Sequence, residues 1–184
     1  MNIGFFSIPV VQRVASRGGR VIGFEPQKLI YYAAAGSVAL NDIDNCFLYN
    51  MGLSDRSGSA SAPRVDYAVE ADYGMVQITD QGAETPQDFL DDKTVRIFAI
   101  DALDLPCIDF IKLDIEGPEV QAIRSGMASI AKFRPLFWVE YFLIGQGATK
   151  VCFAYIPGYR FRIMYAQNML CAPAERLADM GIEP

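Results

Sequence analysis

The sequence contains no histidine among its 184 residues. Histidine is the usual general base near neutral pH, so its absence excludes the Ser-His and Cys-His arrangements of nucleophilic enzymes. The four cysteines lie far apart and form no CxxC pair: Cys46, Cys107, Cys152 and Cys171. A zinc site or a disulfide framework is therefore not expected, and we predict reduced, buried thiols in a cytoplasmic protein.

Basic residues and long apolar runs are also scarce. Lys and Arg number 16 against 22 Asp and Glu, which gives a formal charge of −6 and a pI near 4.6. Nucleic acid is not expected as a partner, because phosphate binding needs basic clusters. No apolar run reaches the roughly 20 residues that cross a bilayer, and the start lacks a signal-peptide pattern. A membrane is therefore not expected as a partner either.

The composition that remains is typical of a folded globular domain. About half of the residues are hydrophobic (52%), and the length suits one domain with a sizeable core. We predict a single domain over residues 1–184, with a β-hairpin excursion at about residues 55–95. In that excursion the apolar periodicity weakens while Ser, Gly, Asp and Pro accumulate.

Helical and strand patterns alternate along the chain. Helices are predicted over residues 4–17, from 26 to about 40, over 119–131 and over 147–156. Strands are predicted at 20–24, 47–53, 95–100, 108–113 and 135–141, followed by a terminal antiparallel hairpin of 159–165 and 169–171. This order predicts an α/β fold with a doubly wound sheet and an antiparallel edge.

The most informative stretch is DFIKLDIEGPE, residues 109–119. A short apolar strand precedes Asp114 and Glu116, which places both acids at its carboxyl end, where open α/β sheets bind ligands. The acids could instead only cap the helix that follows. We expect that capping role for Glu119, in the positive first turn of the helix, and a functional site for Asp114 and Glu116.

Further motifs accompany this stretch along nearly the whole chain. They are NIGFFS (2–7), VIGFEP (21–26), GLSD (52–55) with Gly58, IDALD (100–104), Arg134-Pro135 with Glu140, and Gly158-Tyr159. Together they resemble the FkbM-type methyltransferases, a Rossmann-like branch of the enzymes that use S-adenosylmethionine. The resemblance implies a class I methyltransferase sheet, mostly parallel, with a C-terminal antiparallel hairpin.

The resemblance also implies cofactor-binding roles for Asn2, Gly4, Glu25, Pro26, Gly52, Leu53 and Asp114. Glu25 would accept hydrogen bonds from both ribose hydroxyls, beside a backbone held by Pro26; the alternative is an exposed helix cap. Gly4 would let the backbone approach the methionine portion of the cofactor. Gly52 and Leu53 would meet the adenine, although Leu53 could equally belong to the core.

Methyl transfer to a hydroxyl needs two oriented reactants and a base. Without histidine, the base must be Asp114, Glu116 or Glu140, or one of these acting through a water. Three carboxylates near one crevice could instead hold a divalent cation, but we predict no metal. Lys112 is expected to pair with an acid rather than to act in catalysis. The resemblance implies a small-molecule or glycan acceptor.

The family pattern contains a strand and an acidic, glycine-containing turn before the segment that matches residues 2–4. We therefore expect a sheet without the usual first strand. Two strand edges would then lack a partner, which predicts a homodimer. Two other functions stay open. One is a non-catalytic methyltransferase-like domain that has lost cofactor binding. The other is a nicotinamide-dependent oxidoreductase, whose GxGxxG motif is represented only by Gly4.

Overall fold

The computed structural model describes residues 4, 6–61, 94–115, 119–140, 156–164 and 168–182. Its elements are α1 (Ser7–Ala15), β1 (Val21–Phe24), α2 (Lys28–Leu40), β2 (Cys46–Tyr49), β3 (Met51–Leu53), β4 (Gly58–Ser61), β5 (Thr94–Phe98), a 3₁₀ helix (Ile100–Leu103), β6 (Phe110–Leu113), α3 (Glu119–Arg124), α4 (Met127–Phe133), β7 (Leu136–Glu140), β8 (Tyr159–Ile163), β9 (Asn168–Pro173) and α5 (Ala174–Asp179). This is a mixed α/β chain, as predicted.

The described residues group into two compact units. The first contains the residues up to Phe98 except 54–56, and the second contains residues 54–56 and those from Ala99 onward. The single domain expected over residues 1–184 stays a prediction. None of the helices within the described ranges is both long and apolar enough to cross a membrane.

The first unit begins with the helix and strand pattern that the sequence predicts. Helix α1 buries Val11 and ends before Gly18, whose φ of +69° is the left-handed conformation that favours glycine. Strand β1 then pairs with β2 in parallel, from Val21 opposite Cys46 onward, with α2 as the crossover between them. Asn45 Nδ2 donates to Val11 O and Gly19 O at 3.3 and 2.8 Å, which ties the start of β2 to α1.

The single strand predicted at residues 47–53 is wrong, because β2 and β3 are separate strands in different sheets. Asn50 lies between them, and its Nδ2 donates to Glu25 O and Pro26 O at 2.9 and 3.0 Å. This contact holds the chain at a turn between the two strands. Strand β3 then pairs in parallel with β5, which also pairs antiparallel with β4. Most of the predicted hairpin excursion, residues 62–93, lies outside the described residues.

The second unit contains a four-stranded sheet in the order β6-β7-β9-β8. Strands β6 and β7 are parallel, whereas β9 is antiparallel to both β7 and β8, which confirms the antiparallel pairing predicted for the terminal strands. Helix α5 was not predicted, although Pro173 before it and Glu175 in its first turn are a helix-start signal. It buries Leu177 against Leu170 and Ala172. Most of the helix predicted at 147–156 lies outside the described residues.

The single helix predicted over residues 119–131 is also wrong, because Gly126 separates α3 from α4. A Cβ at Gly126 would lie 2.9 Å from Ile100 Cγ2, so only glycine allows this close approach. The Asp101 carboxylate accepts hydrogen bonds from Ala128 N at 3.0 Å and Ser129 N at 2.8 Å. A side chain distant in sequence therefore caps the new helix and stabilises the break.

Candidate functional site

Glu25 directly follows β1, at the edge where the parallel strands β1 and β2 both end. It is only 5% exposed, which contradicts the exposure, but not the helix contact, that its alternative as a helix cap supposed. Its Oε1 accepts a hydrogen bond from Gln27 N at 3.0 Å, and its own backbone N donates to Tyr49 O at 3.1 Å. Burial of a carboxylate is costly unless hydrogen-bond donors compensate, and Gln27, the residue directly before α2, supplies one such donor. Ribose binding by Glu25 stays a prediction.

Asn50 holds the backbone around Glu25 in place. By donating to Glu25 O and Pro26 O, its side chain fixes the backbone that carries the Glu25 carboxylate. Sequence reasoning missed Asn50, although a polar residue between two strand-like halves was a usable sign of a turn. Gly52 is buried within β3 and Leu53 is half-buried. The burial of Leu53 fits either an adenine contact or core packing.

Gly4 is buried and has a φ of +94°, a backbone conformation that residues with a side chain rarely adopt. A Cβ there would lie 3.2 Å from Ile8 Cδ1. The Gly4 carbonyl accepts a hydrogen bond from Ile8 N at 2.9 Å, which begins the first turn of α1. A glycine in this conformation before a helix N-terminus suits close approach of a ligand to the backbone. Asn2 lies outside the described residues.

In the second unit, Asp114 directly follows β6, and Glu140 is the last residue of the neighbouring parallel strand β7. Leu113 is opposite Val139 in the register, so the two acids come next to each other at the carboxyl ends of the strands. The Glu140 side chain is one of the groups that lower the pKa of Asp114. Lys112 Nζ contacts Asp114 Oδ2 in a salt bridge, which confirms the predicted pairing of this lysine with an acid.

The electrostatics of this acid pair favour a charged Asp114. Burial raises the pKa of Asp114, but the neighbouring Glu140 side chain, the hydrogen bond from Lys112 and the positive charge of Lys112 lower it. The net pKa lies below the ordinary value, so Asp114 is a carboxylate at neutral pH. An ionised carboxylate can accept a proton from a substrate hydroxyl, which is the chemistry of a general base.

The DFIKLDIEGPE motif also contains Glu116 and Glu119. Glu119 is 6% exposed in the first turn of α3, and its Oε1 accepts a hydrogen bond from Ile115 N at 3.4 Å. Ile115 lies before α3, so this contact does not test the predicted capping role, which stays a prediction. Glu116 lies outside the described residues. Within the ranges that the structure describes, no group of three or more His, Cys, Asp or Glu side chains is arranged to hold a metal ion.

Arg134 and Tyr159, which belong to two of the sequence motifs, stabilise the chain where β7 and β8 begin. Arg134 Nε and Nη2 donate to Glu175 at 2.9 and 3.2 Å, and Nη1 donates to Pro157 O at 3.2 Å. The guanidinium lies 5.5 Å from the centre of the Tyr159 ring, whose hydroxyl donates to Pro135 O at 2.8 Å. These contacts join the loops before β7 and β8, so Arg134 and Tyr159 have a structural role.

Comparison with known proteins agrees with this architecture. The solved structure of the methyltransferase FkbM from Methylobacillus flagellatus KT has a similar fold, with a TM-score of 0.61 over 92% of this chain and 15% sequence identity. The fold is therefore that of a methyltransferase structure, although this chain covers only 41% of the other. Residues 1–168 match the methyltransferase FkbM domain, and the chain belongs to that family. The resemblance inferred from the motifs is thus confirmed. No curated protein matches the chain.

Proposed function

We propose that the chain transfers a methyl group from S-adenosylmethionine to a hydroxyl of a small molecule or glycan. The observation that carries this proposal is the match of residues 1–168 to the FkbM methyltransferase domain. S-adenosylmethionine supplies a methyl carbon already activated by its sulfonium, so the protein needs to orient the reactants and remove one proton.

The first unit supports the choice of cofactor. A buried carboxylate after a parallel strand, as at Glu25, is the group that accepts hydrogen bonds from ribose hydroxyls in nucleotide-binding α/β folds. The α2 crossover between β1 and β2 is the repeating unit of a Rossmann-like sheet. Gly4, with its φ of +94°, leaves room where a side chain would obstruct the cofactor's methionine portion. We therefore assign ribose binding to Glu25 and backbone contact to Gly4.

The second unit supports a hydroxyl acceptor. An oxygen acceptor must lose its proton as the new C–O bond forms, and this chain has no histidine to receive it. Asp114 is ionised and part-exposed at the carboxyl end of β6, where a ligand can reach it. We assign to Asp114 the role of general base.

A transfer assay tests the proposal. The protein is incubated with methyl-labelled S-adenosylmethionine and a panel of hydroxyl compounds, from simple alcohols to oligosaccharides, and the products are analysed by mass spectrometry. We expect one added methyl on an oxygen. Asp114→Asn should lower the rate by roughly 100-fold or more, the usual contribution of a general base. Asp109→Asn, which alters an exposed acid before the same strand, is the matched control.

Two results would contradict the proposal. Transfer to nitrogen or carbon alone would refute the hydroxyl acceptor. A folded protein that neither transfers a methyl group nor binds S-adenosylhomocysteine would favour the alternative of a non-catalytic domain.

A further inference from the structure

The two faces of the second unit's sheet differ where β7 pairs with β9. Side chains alternate between the faces along each strand. Phe137, Val139 and Met169 are completely buried on one face, whereas Trp138 and Glu140 on the other face are half-buried. A face that only joined the core would be apolar, and open α/β sheets bind ligands at the carboxyl ends of their strands. The half-buried face therefore has the position and the mixed chemistry of a ligand-binding surface.

Polar groups surround one aromatic ring on this face. Trp138, the only tryptophan of the chain, is the register partner of Lys112 on β6, and Lys112 Nζ contacts Asp114. On the other side of β7, Asn168 of β9 is the register partner of Glu140. Trp138 Nε1 donates to Asn168 Oδ1 at 2.6 Å. Since neighbouring strands lie roughly 5 Å apart, the indole is beside the Lys112–Asp114 pair, and its N–H is directed to the end of the sheet that holds the acids.

Two contacts hold the indole in place. It packs against the buried cluster of Leu170, Ala172 and Leu177, and the hydrogen bond to Asn168 fixes its N–H. A side chain that is already ordered loses little entropy when a ligand binds to it. The accessible part of the ring is therefore a rigid apolar surface with carboxylates, an ammonium and an amide around it.

This combination suits a carbohydrate. One face of a pyranose ring consists of C–H groups that pack on an aromatic ring, whereas the hydroxyls at its edge need hydrogen-bond donors and acceptors. An acyclic polyol offers the hydroxyls without a flat C–H face. An aromatic alcohol offers a ring that stacks on the indole, but it has few hydroxyls for the surrounding polar groups.

We propose that the acceptor is a carbohydrate whose ring stacks on Trp138 while the hydroxyl to be methylated reaches Asp114. Trp138 is then a residue that determines acceptor specificity, and Asn168 is a positioning residue that orients the indole. This inference rests on the proposed methyl transfer and deepens it, because it selects a glycan from the acceptors that the proposed function allows.

Intrinsic fluorescence tests the inference on the wild type, because Trp138 is the only tryptophan that contributes to it. The protein is titrated, with and without S-adenosylhomocysteine, with methyl glycosides of common pyranoses and with short oligosaccharides. Sorbitol and benzyl alcohol serve as the acyclic and the aromatic comparison compounds. We expect a saturable change in fluorescence with at least one carbohydrate and none with either comparison compound.

Calorimetric titration of that carbohydrate into variants locates the binding surface. Trp138→Leu should weaken binding about tenfold or more, and Trp138→Phe, which keeps an aromatic ring, should weaken it less. Asn168→Ala should also weaken binding, because it releases the indole N–H. Phe161→Leu is the matched control, since it removes a 36% exposed aromatic ring from the opposite face of the same sheet and should bind as the wild type does.

Three results would overturn the inference: fluorescence that no carbohydrate changes, a change with benzyl alcohol alone, or equal affinity of the wild type and the Trp138 variants. If Trp138→Leu does not fold, the wild-type fluorescence, Trp138→Phe and Asn168→Ala still decide. These experiments measure binding rather than transfer, so they separate this inference from the proposed function. Methylation of a hydroxyl on a compound that is not a carbohydrate would uphold the proposed function and overturn this inference.

Discussion

Gly4 illustrates how one residue can serve both the fold and the proposed cofactor site. Its φ of +94° is sterically unfavourable for any residue with a Cβ, and it begins the first turn of α1. Gly18 ends the same helix with a φ of +69° and has nothing within 4 Å of a built Cβ. Both glycines therefore have a positive φ that would strain a residue with a Cβ, but they differ in their surroundings.

We predict that Gly4→Ala and Gly18→Ala each lower the free energy of unfolding by about 1–2 kcal/mol, the cost of a left-handed non-glycine residue. Only Gly4→Ala should weaken binding of S-adenosylhomocysteine, because only Gly4 is assigned to the cofactor. Urea unfolding and calorimetric titration of both variants check this. Equal affinity in the two variants would remove Gly4 from the site.

Residues whose roles depend on neighbours in sequence could be predicted, and those that depend on distant contacts could not. Glu25 and Asp114 follow apolar strands, so their positions at strand ends were predictable from periodicity. The Asp101 contact with Ser129 spans 28 residues, and the Arg134 contact with Glu175 spans 41. No local pattern encodes such contacts. The motifs containing Asp101 and Arg134 were therefore recognisable as family markers, but the structural roles of these two residues could not be predicted.

At the scale of elements, α4 depends on a cap supplied by another part of the chain. Burial raises the pKa of Asp101, whereas the hydrogen bonds from Ser129 and Ala128 lower it. The hydrogen bonds outweigh burial, so the pKa lies below the ordinary value of 3.8. A group with a lowered pKa in the folded state stabilises the protein above its unfolded pKa. This contribution is lost as the pH falls through the folded value.

We predict that Asp101→Ala costs about 1 kcal/mol at pH 7, the usual value of a lost helix cap. The difference between wild type and Asp101→Ala should shrink as the pH falls below about 4, where Asp101 of the unfolded chain takes up a proton, and it should be lost once the pH falls through the lower pKa of the folded state. Urea unfolding of both proteins at pH 7 and pH 3 measures this difference in the free energy of unfolding. Asp109→Ala, which removes an exposed carboxylate, should not show this behaviour. A difference that is the same at both pH values would refute the capping account.

Element types were predictable from the sequence more reliably than their boundaries. The sequence predicted α1 before Gly18, β1 between Gly18 and Pro26, and α2 after Pro26. Each of these segments is apolar and is bounded by a glycine or a proline. The break between β2 and β3 depends on Asn50 reaching back to Glu25, and the break at Gly126 depends on close approach to Ile100. Both are tertiary effects that override local propensity.

At the scale of the whole molecule, the homodimer stays a prediction. Strands β1 and β2 expose three large apolar side chains: Ile22 at 39%, Phe47 at 41% and Tyr49 at 43%. Ile22 and Phe47 are register partners, so they form one apolar patch. We expect sedimentation velocity to show a dimer that Phe47→Ser weakens. Leu40→Ser, at an 88% exposed position on α2, should leave it unchanged. A monomer at micromolar concentration would contradict the prediction.

Binding of S-adenosylhomocysteine to the wild type, Glu25→Ala and Asp44→Ala, measured by isothermal titration calorimetry, tests the central claim most directly. Glu25 is assigned two ribose hydrogen bonds, and hydrogen bonds to a charged group contribute about 1.5–3 kcal/mol each. We predict that Glu25→Ala weakens binding at least about tenfold. Asp44→Ala, which alters an exposed acid before β2, should bind as the wild type does. Equal affinity of Glu25→Ala and the wild type would contradict the ribose assignment, and a folded wild type without binding would contradict the account as a whole.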